Sequence, residues 1–269
     1  MGSIGSSFFD IGHLDALSSK QTPVHRVDSR VKVLTTLCFI VVVVSFHKYD
    51  PARLAPLVIY PMAIMVIGRI PFSYILKKVL IASPFVLFVA LFNPILDRNP
   101  VMELGSFVIS GGFLSFTSIL VKYVLTVSAG LALIACTGFD AICSALSGMG
   151  VPTAFTIQLL FVYRYIFVLG EEAARMARAR ALRSFGDRGM GIGVYGSMLG
   201  QLLFRTMDRA QRIHLAMMCR GFDGKIRYNS PKGICWSDWI FLGGWCGLFV
   251  LLRSYDFPAW LGRELGRLI

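Results

Sequence analysis

The segment VKVLTTLCFIVVVVSF, Val31–Phe46, decides the fold class because Lys32 is its only charged side chain. A helix needs about twenty consecutive, mainly apolar residues to cross the hydrocarbon core of a bilayer. Over the whole chain, hydrophobic residues make up 55% and charged residues 16%, whereas about a quarter of a soluble domain is charged. The sequence therefore predicts an all-α protein, a polytopic membrane helix bundle.

Further apolar segments raise the predicted number of spans to about five. They are Leu54–Gly68, Val79–Leu96, Leu114–Thr137 and Trp236–Leu252. Phe107–Ser110 is predicted to be a short extended piece, and Gly111-Gly112 ends it. We predict four spans within 31–137 and a last span with a tail in 236–269.

Basic residues cluster on one side of these spans. They precede the first span and lie between the second and third, as Lys20, Arg26, Arg30, Lys32, Arg69, Lys77 and Lys78. Loops rich in lysine and arginine stay on the cytoplasmic side. The N-terminus, with segment 1–30, and the region 138–235 are therefore predicted to be cytoplasmic.

Val151–Leu169 is apolar enough to be a further span. If it crossed, the twelve basic residues of 171–232 would lie outside the cell, against the positive-inside rule. We predict that it packs against the bundle, or dips into the membrane, without crossing.

Two long helices are predicted in the cytoplasmic region, over 152–184 and 197–220. On the second, apolar residues recur at steps of three and four: Leu199, Leu203, Met207, Ala210, His214 and Met217. A separate face carries Arg205, Arg209 and Arg212.

Each predicted helix finishes on an arginine-centred tripeptide, Leu182-Arg183-Ser184 or Cys219-Arg220-Gly221. An arginine in the last turn can simply complement the helix dipole, worth about 0.3–1 kcal/mol, and a basic amphipathic helix can lie on anionic lipid. Arginine also grips carboxylates with a planar fork. Two forks in matched contexts favour docking to two acidic grooves on a dimeric partner.

Motifs for nucleotide or metal chemistry are absent from the sequence. There is no phosphate-binding G-x-x-x-x-G-K-[ST] pattern, no H-E-x-x-H pair and no C-x-x-C pair. We therefore predict no catalytic residues, no bound cofactor, no metal site and no nucleic-acid partner. Lys122, inside the fourth span, leaves two interpretations open: a polar pathway or a side chain that snorkels to the interface.

The order of motifs resembles the transmembrane T component of energy-coupling-factor (ECF) transporters, in its cobalt-type CbiQ branch. The similarity rests on Pro23–Lys32, on Pro84-Phe85 with Phe92-Asn93-Pro94, on Ala145–Pro152 and on Tyr163–Leu169. Arg183 and Arg220 fall where that family carries its two Ala-Arg-Gly-type motifs, and Gly221-Phe222-Asp223-Gly224 is the most specific part. Arg178 and Arg180 remain alternatives for the first arginine.

The resemblance implies a non-catalytic coupling subunit in the cytoplasmic membrane of a prokaryote. Its partners would be two ATP-binding-cassette ATPases, which hold the ATP, and a metal-binding membrane S component that supplies the substrate. The two tripeptides would dock the ATPases. The stripe Leu199, Leu203, Met207 and Met217 would pack against the first of the two long helices, 152–184, or against the S component.

Other functions stay open at this point. The resemblance implies cobalt uptake, with nickel or a vitamin as alternatives. A self-contained channel or carrier with Lys122 in its path is a different class, and a membrane-bound enzyme is disfavoured because no acid/base or metal constellation is present.

Overall fold

The computed structural model describes residues 22–96, 100–104, 107–183, 191–224 and 235–255. Its helices are α1 Pro23–Arg26, α2 Ser29–Ser45, α3 Ile59–Ile67, α4 Phe72–Leu96, α5 Gly111–Thr137, α6 Phe139–Gly148, α7 Thr153–Arg183, α8 Ile192–Cys219 and α9 Trp236–Ser254. A 3-10 helix, Pro51–Val58, leads into α3. The predicted all-α membrane bundle is confirmed.

A two-stranded hairpin between α4 and α5 interrupts the helices. Strand β1, Pro100–Leu104, pairs antiparallel with β2, Phe107–Ser110, and Leu104 lies opposite Phe107. The short extended piece expected at Phe107–Ser110 is thus a strand.

Three of the described helices are long and apolar enough to cross a membrane. They contain Phe72–Pro94, Gly111–Thr137 and Thr153–Arg183. α2, with 17 residues, and the apolar helix Pro51–Ile67 are shorter. The chain is a multi-pass membrane protein, while the count of five spans and the non-crossing path of 151–169 stay predictions, because length and composition do not decide them.

The chain divides into two compact units. One contains the described residues of Phe139–Pro231, and the other contains those of Leu17–Gly138 and Lys232–Ile269. The divisions fall near the predicted borders at 138 and 235. Which side of the membrane each part faces stays a prediction.

An aromatic cluster forms the core of the larger unit. Phe39 of α2, Tyr60 of α3 and Phe249 of α9 are each fully buried, with ring centres 4.5–5.4 Å apart. The Tyr60 hydroxyl lies 2.8 Å from Thr36 Oγ1, which gives a buried polar atom its partner as burial requires. On α5, a run of small buried residues allows neighbouring helices to approach closely: Ser128, Ala129, Ala132, Ala135 and Cys136.

A serine compensates for Pro84, one of the two prolines inside α4. Pro84 has no N–H to give to the carbonyl of Leu80 one turn earlier, and Ser83 Oγ donates to that oxygen at 2.8 Å. A proline is tolerated in a span when the freed carbonyl finds another donor. The 25-residue helix α4 can therefore continue through Pro84.

Two cations converge on the C-terminal end of α2. Lys122 Nζ donates to the carbonyls of Phe46 at 2.6 Å and Val44 at 3.3 Å, and Arg253 Nη2 donates to the carbonyl of Ser45 at 3.1 Å. The last carbonyls of a helix have no partner within it, and cationic side chains there also complement the dipole. Lys122 thus acts as a helix cap, a role that neither of its two sequence interpretations included.

A second group of polar contacts joins the start of α2, the end of α5 and the start of α9, the ends that are predicted to face the cytoplasm. Asp28 caps α2, and its backbone N–H donates to Asp238 Oδ1 at 3.2 Å. The other Asp238 oxygen accepts from the N–H of Cys235, the N-cap of α9, at 2.8 Å. Lys32, 6% exposed, donates to the Cys136 carbonyl of α5 at 3.4 Å. One buried carboxylate therefore holds two helix starts together.

Asp238→Ala should lower the melting temperature of the purified protein. The change leaves two backbone N–H groups without their acceptor, and an unsatisfied buried donor costs about 1–3 kcal/mol. Asp238→Asn keeps one carbonyl oxygen as an acceptor, so its melting temperature should lie between those of Asp238→Ala and the unchanged protein. The measurement is thermal unfolding in detergent, followed by tryptophan fluorescence.

Asp50→Ala is the matched control, since Asp50 is an exposed N-cap whose side chain makes no capping hydrogen bond. An equal loss of melting temperature in both alanine variants would contradict the special role of Asp238.

Candidate partner-docking site

The smaller unit contains α6, α7 and α8. α6 packs on α7 through Phe139 and Tyr163, whose rings stack with centres 4.2 Å apart, and Tyr163 in turn meets Phe167 edge to face at 5.3 Å. α6 was not expected from the sequence. Gly138, with a positive φ of 76°, Asp140 in the first turn and the Gly150-Val151-Pro152 break were signals that could have revealed it.

α7 is a single 31-residue helix that ends at Arg183. The Leu182 side chain beside it is 80% exposed, and Arg183 is exposed as well. Ser184, the third predicted docking residue of this tripeptide, lies outside the described residues. The described part of the first motif therefore lies at the C-terminal end of a long helix.

The second motif is the C-terminal cap of α8. Arg220 is the C-cap residue, and Gly221 follows with a φ of +74°. The N–H of Phe222 donates to the carbonyl of Met217, and the N–H of Gly221 to that of Met218, both at 3.0 Å. This pair of bonds is the Schellman motif, in which the residue after the cap is usually glycine because its φ is positive.

The cap explains part of the predicted docking motif by local physics. Gly221 is required by the backbone, and Cys219 is the exposed last residue of α8. The cap uses only backbone atoms at Arg220, so it does not determine which side chain stands there. Its exposed guanidinium is therefore the part of the tripeptide that is available to a partner.

The apolar stripe of α8 does not form a core. None of the residues of α8 is buried, and Leu199, Leu203 and Met207 are all more than half exposed. Met207 and Met217 line a groove against α7, while Leu199 and Leu203 are not part of it, and the packing role of this stripe stays a prediction. An exposed apolar stretch of this kind marks an interaction surface.

The groove between α7 and α8 has a volume of about 540 Å³. Phe222, the residue that the Schellman motif turns back, closes one part of its wall together with Met217. The remaining lining residues are mostly apolar: Ile157, Gln158, Phe161, Val162, Tyr165, Ile166, Leu169, Thr206, Met207, Arg209, Ala210, Ile213 and His214.

A cluster of charges adjoins the groove. Glu172 of α7 accepts hydrogen bonds from Arg175 of the same helix and from Arg205 of α8. These bonds, Arg175 first and Arg205 second, hold the pKa of the Glu172 carboxyl below its ordinary value. A polar cleft of about 280 Å³ surrounds the cluster, and Arg209 and Arg212 also line it.

The two helices run antiparallel. Glu172 meets Arg205, whereas Ile157 near the start of α7 shares the groove with Met217 near the end of α8. Arg183 and Arg220, each at the C-terminal end of its helix, therefore lie on opposite sides of the helix contact. The structure thus presents two exposed arginines at the two ends of one antiparallel helix pair.

A metal site is not found in the part of the chain that the structure describes. No group of three or more His, Cys, Asp or Glu side chains there is arranged to hold a metal ion. The chemistry that this region offers is recognition, through arginine forks and apolar side chains.

Comparison with known proteins gives a consistent result. The family model of CbiQ, a cobalt transport protein, matches residues 20–230, which include both arginine motifs. The chain is 25% identical to the energy-coupling factor transporter transmembrane protein EcfT of Heliobacterium modesticaldum, with 86% of this chain and 92% of the relative covered. Against the EcfT protein of Bacillus subtilis the identity is 23%, covering 80% and 86%.

A third similarity is shorter. The cobalt transport protein CbiQ of Rhodobacter capsulatus is 32% identical over 90 residues, which cover 33% of this chain and 37% of that protein.

Gly221→Ala should fray the end of α8. Alanine at a positive φ is strained and costs more than about 0.4–1 kcal/mol, although the space around the position is open. We expect faster hydrogen exchange at the amides of Gly221 and Phe222, measured by mass spectrometry on the purified protein.

Gly200→Ala is a control for which we expect the opposite effect on the stability of α8. Gly200 lies inside α8, and the space that the methyl group of an alanine would occupy there is open. Alanine should therefore stabilise the helix by about 0.5–1 kcal/mol. Unchanged exchange at the end of α8 in Gly221→Ala would contradict the capping role.

Proposed function

The chain belongs to the CbiQ family of cobalt transport proteins, and from this premise we propose that it is the coupling subunit of an ATP-driven ECF transporter. The observation that carries the proposal is the pair of exposed arginines, Arg183 and Arg220, at opposite ends of the antiparallel helices α7 and α8. A dimeric partner with one groove on each protomer would bind one arginine in each groove.

The partners proposed are two ATP-binding-cassette ATPases and a substrate-binding membrane subunit. Each ATPase would receive one of the tripeptides 182–184 and 219–221 in an acidic groove, because guanidinium and carboxylate form charge-assisted, bidentate hydrogen bonds. The exposed stripe of α8, with Leu199 and Leu203, would face the substrate-binding subunit. Apolar side chains that a monomer leaves exposed are suited to such an interface.

The proposed mechanism uses helices as rigid connectors. When the ATPases bind ATP and close on each other, the two arginines move together, and α7 and α8 carry that displacement to the membrane subunits. This polypeptide would hydrolyse nothing and would bind neither ATP nor metal itself. Its role would be to hold the subunits and transmit force.

The remaining parts of the proposal are location and substrate. The distribution of lysine and arginine supports a cytoplasmic N-terminus in the cytoplasmic membrane of a prokaryote. We propose cobalt ions as the substrate, with nickel or a vitamin as alternatives, since selectivity would reside in the substrate-binding subunit. The carrier alternative loses its main support because the Lys122 ammonium caps α2.

Reversing both arginines, Arg183→Glu plus Arg220→Glu, should abolish retention of the ATPases. Two carboxylates would then face acidic grooves, and like charges placed together at an interface oppose binding. The measurement is co-purification of the co-expressed ATPases with a tagged chain.

The control is Arg209→Glu plus Arg212→Glu, which makes the same change of charge in the middle of α8 and should leave retention intact. Full retention of the ATPases by the Arg183/Arg220 variant would show that docking lies elsewhere. Single reversals at Arg178, Arg180 and Arg183 then identify the arginine of the first motif.

Cobalt uptake should require the whole complex and ATP. The measurement is uptake of radioactive cobalt into proteoliposomes that contain this chain, its ATPases and its membrane partner, with nickel as competitor. ATP-independent uptake by this chain alone would support the carrier alternative. ATP-dependent uptake of nickel in preference to cobalt would show that nickel, and not cobalt, is the substrate.

A further inference from the structure

The contact between α7 and α8 contains an ionic cluster that the docking motifs do not explain. Glu172 Oε2 accepts from Arg175 Nη2 at 2.7 Å and from Arg175 Nε at 3.2 Å. Its other oxygen, Oε1, accepts from Arg205 Nη1 of α8 at 2.5 Å. One carboxylate therefore uses both oxygens, the first to fix its own orientation on α7 and the second to hold α8.

Side-chain packing does little to fix the relative orientation of α7 and α8. No residue of α8 is buried, so interdigitated side chains, which normally set a crossing angle, contribute little there. A directional bond between charged groups supplies what packing lacks. A single exposed ion pair adds little to the free energy of unfolding. It can still fix the relative orientation of two helices, because that depends on the direction of the bond.

The position of the cluster along the two helices is also informative. Arg183 lies eleven residues beyond Glu172 on α7, and Arg220 lies fifteen residues beyond Arg205 on α8. At 1.5 Å per residue these arms are about 17 Å and 22 Å long. Because the helices are antiparallel, the arms extend in opposite directions from the cluster, which therefore lies between the two arginine motifs.

We propose that Glu172, oriented by Arg175 and bonded to Arg205, is the positioning residue at the pivot between α7 and α8. This inference rests on the proposed coupling function, since a pivot matters only if the two arms transmit movement. Glu172 keeps the arms in a fixed relative orientation, so that displacement of one motif turns the pair as a unit. Without it, the helices would slide or splay, and ATP would be hydrolysed with less transport.

The neighbouring Glu171 provides a natural contrast. It is 76% exposed, against 20% for Glu172, and its carboxylate lies 3.9 Å from Arg175. Within the described contacts it makes no bond to α8. The two glutamates thus share their charge, their helix and a contact with Arg175, while only Glu172 makes the bond to α8 that the proposal requires.

The first test measures geometry. Spin labels on native Cys219 and on Leu182→Cys, with the other cysteines replaced, report the distance between the two arm ends in the full chain in nanodiscs. Both sites are exposed. We expect Glu172→Gln and Arg205→Gln each to broaden the distance distribution, and the double variant to broaden it no further, since both remove the same bond.

Three variants make the geometric test specific. Glu171→Gln and Arg212→Gln remove a charge from the same helices and should leave the distribution narrow. Arg205→Lys keeps the charge, and because Arg205 uses one N–H in this bond, a lysine should preserve most of the narrow distribution. Broadening by Glu171→Gln equal to that by Glu172→Gln would overturn the proposal, as would a narrow distribution in Glu172→Gln.

The second test measures coupling in the assembled transporter. Glu172→Gln should retain the ATPases but lower substrate uptake per ATP hydrolysed by about twofold to thirtyfold, the range that single changes along a coupling network produce. Unchanged uptake per ATP would overturn the pivot while leaving the docking proposal intact. Failure of the docking proposal has a separate signature, which is retention of ATPases by the Arg183/Arg220 reversal.

Discussion

The unsatisfied backbone groups at helix ends are the constraint on which the larger unit depends. In a bilayer each such group must find a partner within the protein, and the partners here come from other helices. Lys122 of α5 and Arg253 of α9 bond the last carbonyls of α2, while Asp238 of α9 accepts from the start of α2 and from its own helix start. Both ends of α2 are thereby held by other helices, and the aromatic core between them is positioned as a result.

The smaller unit follows a different physical logic. Its helices α7 and α8 keep their backbone bonds to themselves and leave large apolar side chains, including Leu199 and Leu203, in the open. Stability is therefore local, supplied by helix length and by the cap at Gly221, and little is supplied by a core. A part built in this way is suited to surfaces that partners complete, which agrees with membership of a family of transporter subunits.

The sequence predicted what depends on neighbours along the chain. The long helices follow from composition and periodicity, and the end of α8 follows from Gly221, because a glycine after the last turn is a local signal. α6 was missed since ten residues between two breaks give too weak a pattern. The cap on α2 by Lys122 and the bond from Arg205 to Glu172 join residues 76 and 33 positions apart. Such pairs arise only when helices are placed in space, so no local pattern announces them.

The turn that ends α8 has one more consequence. The same backbone reversal that sets Arg220 at the helix end also returns Phe222 to the wall of the groove. A ligand that bound in the groove and a protein that bound at Arg220 would thus act on one short stretch of main chain. Thermodynamic linkage is reciprocal: whatever factor the occupant of the groove applies to binding at Arg220, binding at Arg220 must return to the groove. The turn at Gly221 therefore links any binding in the groove to any binding at Arg220, with the same factor in both directions.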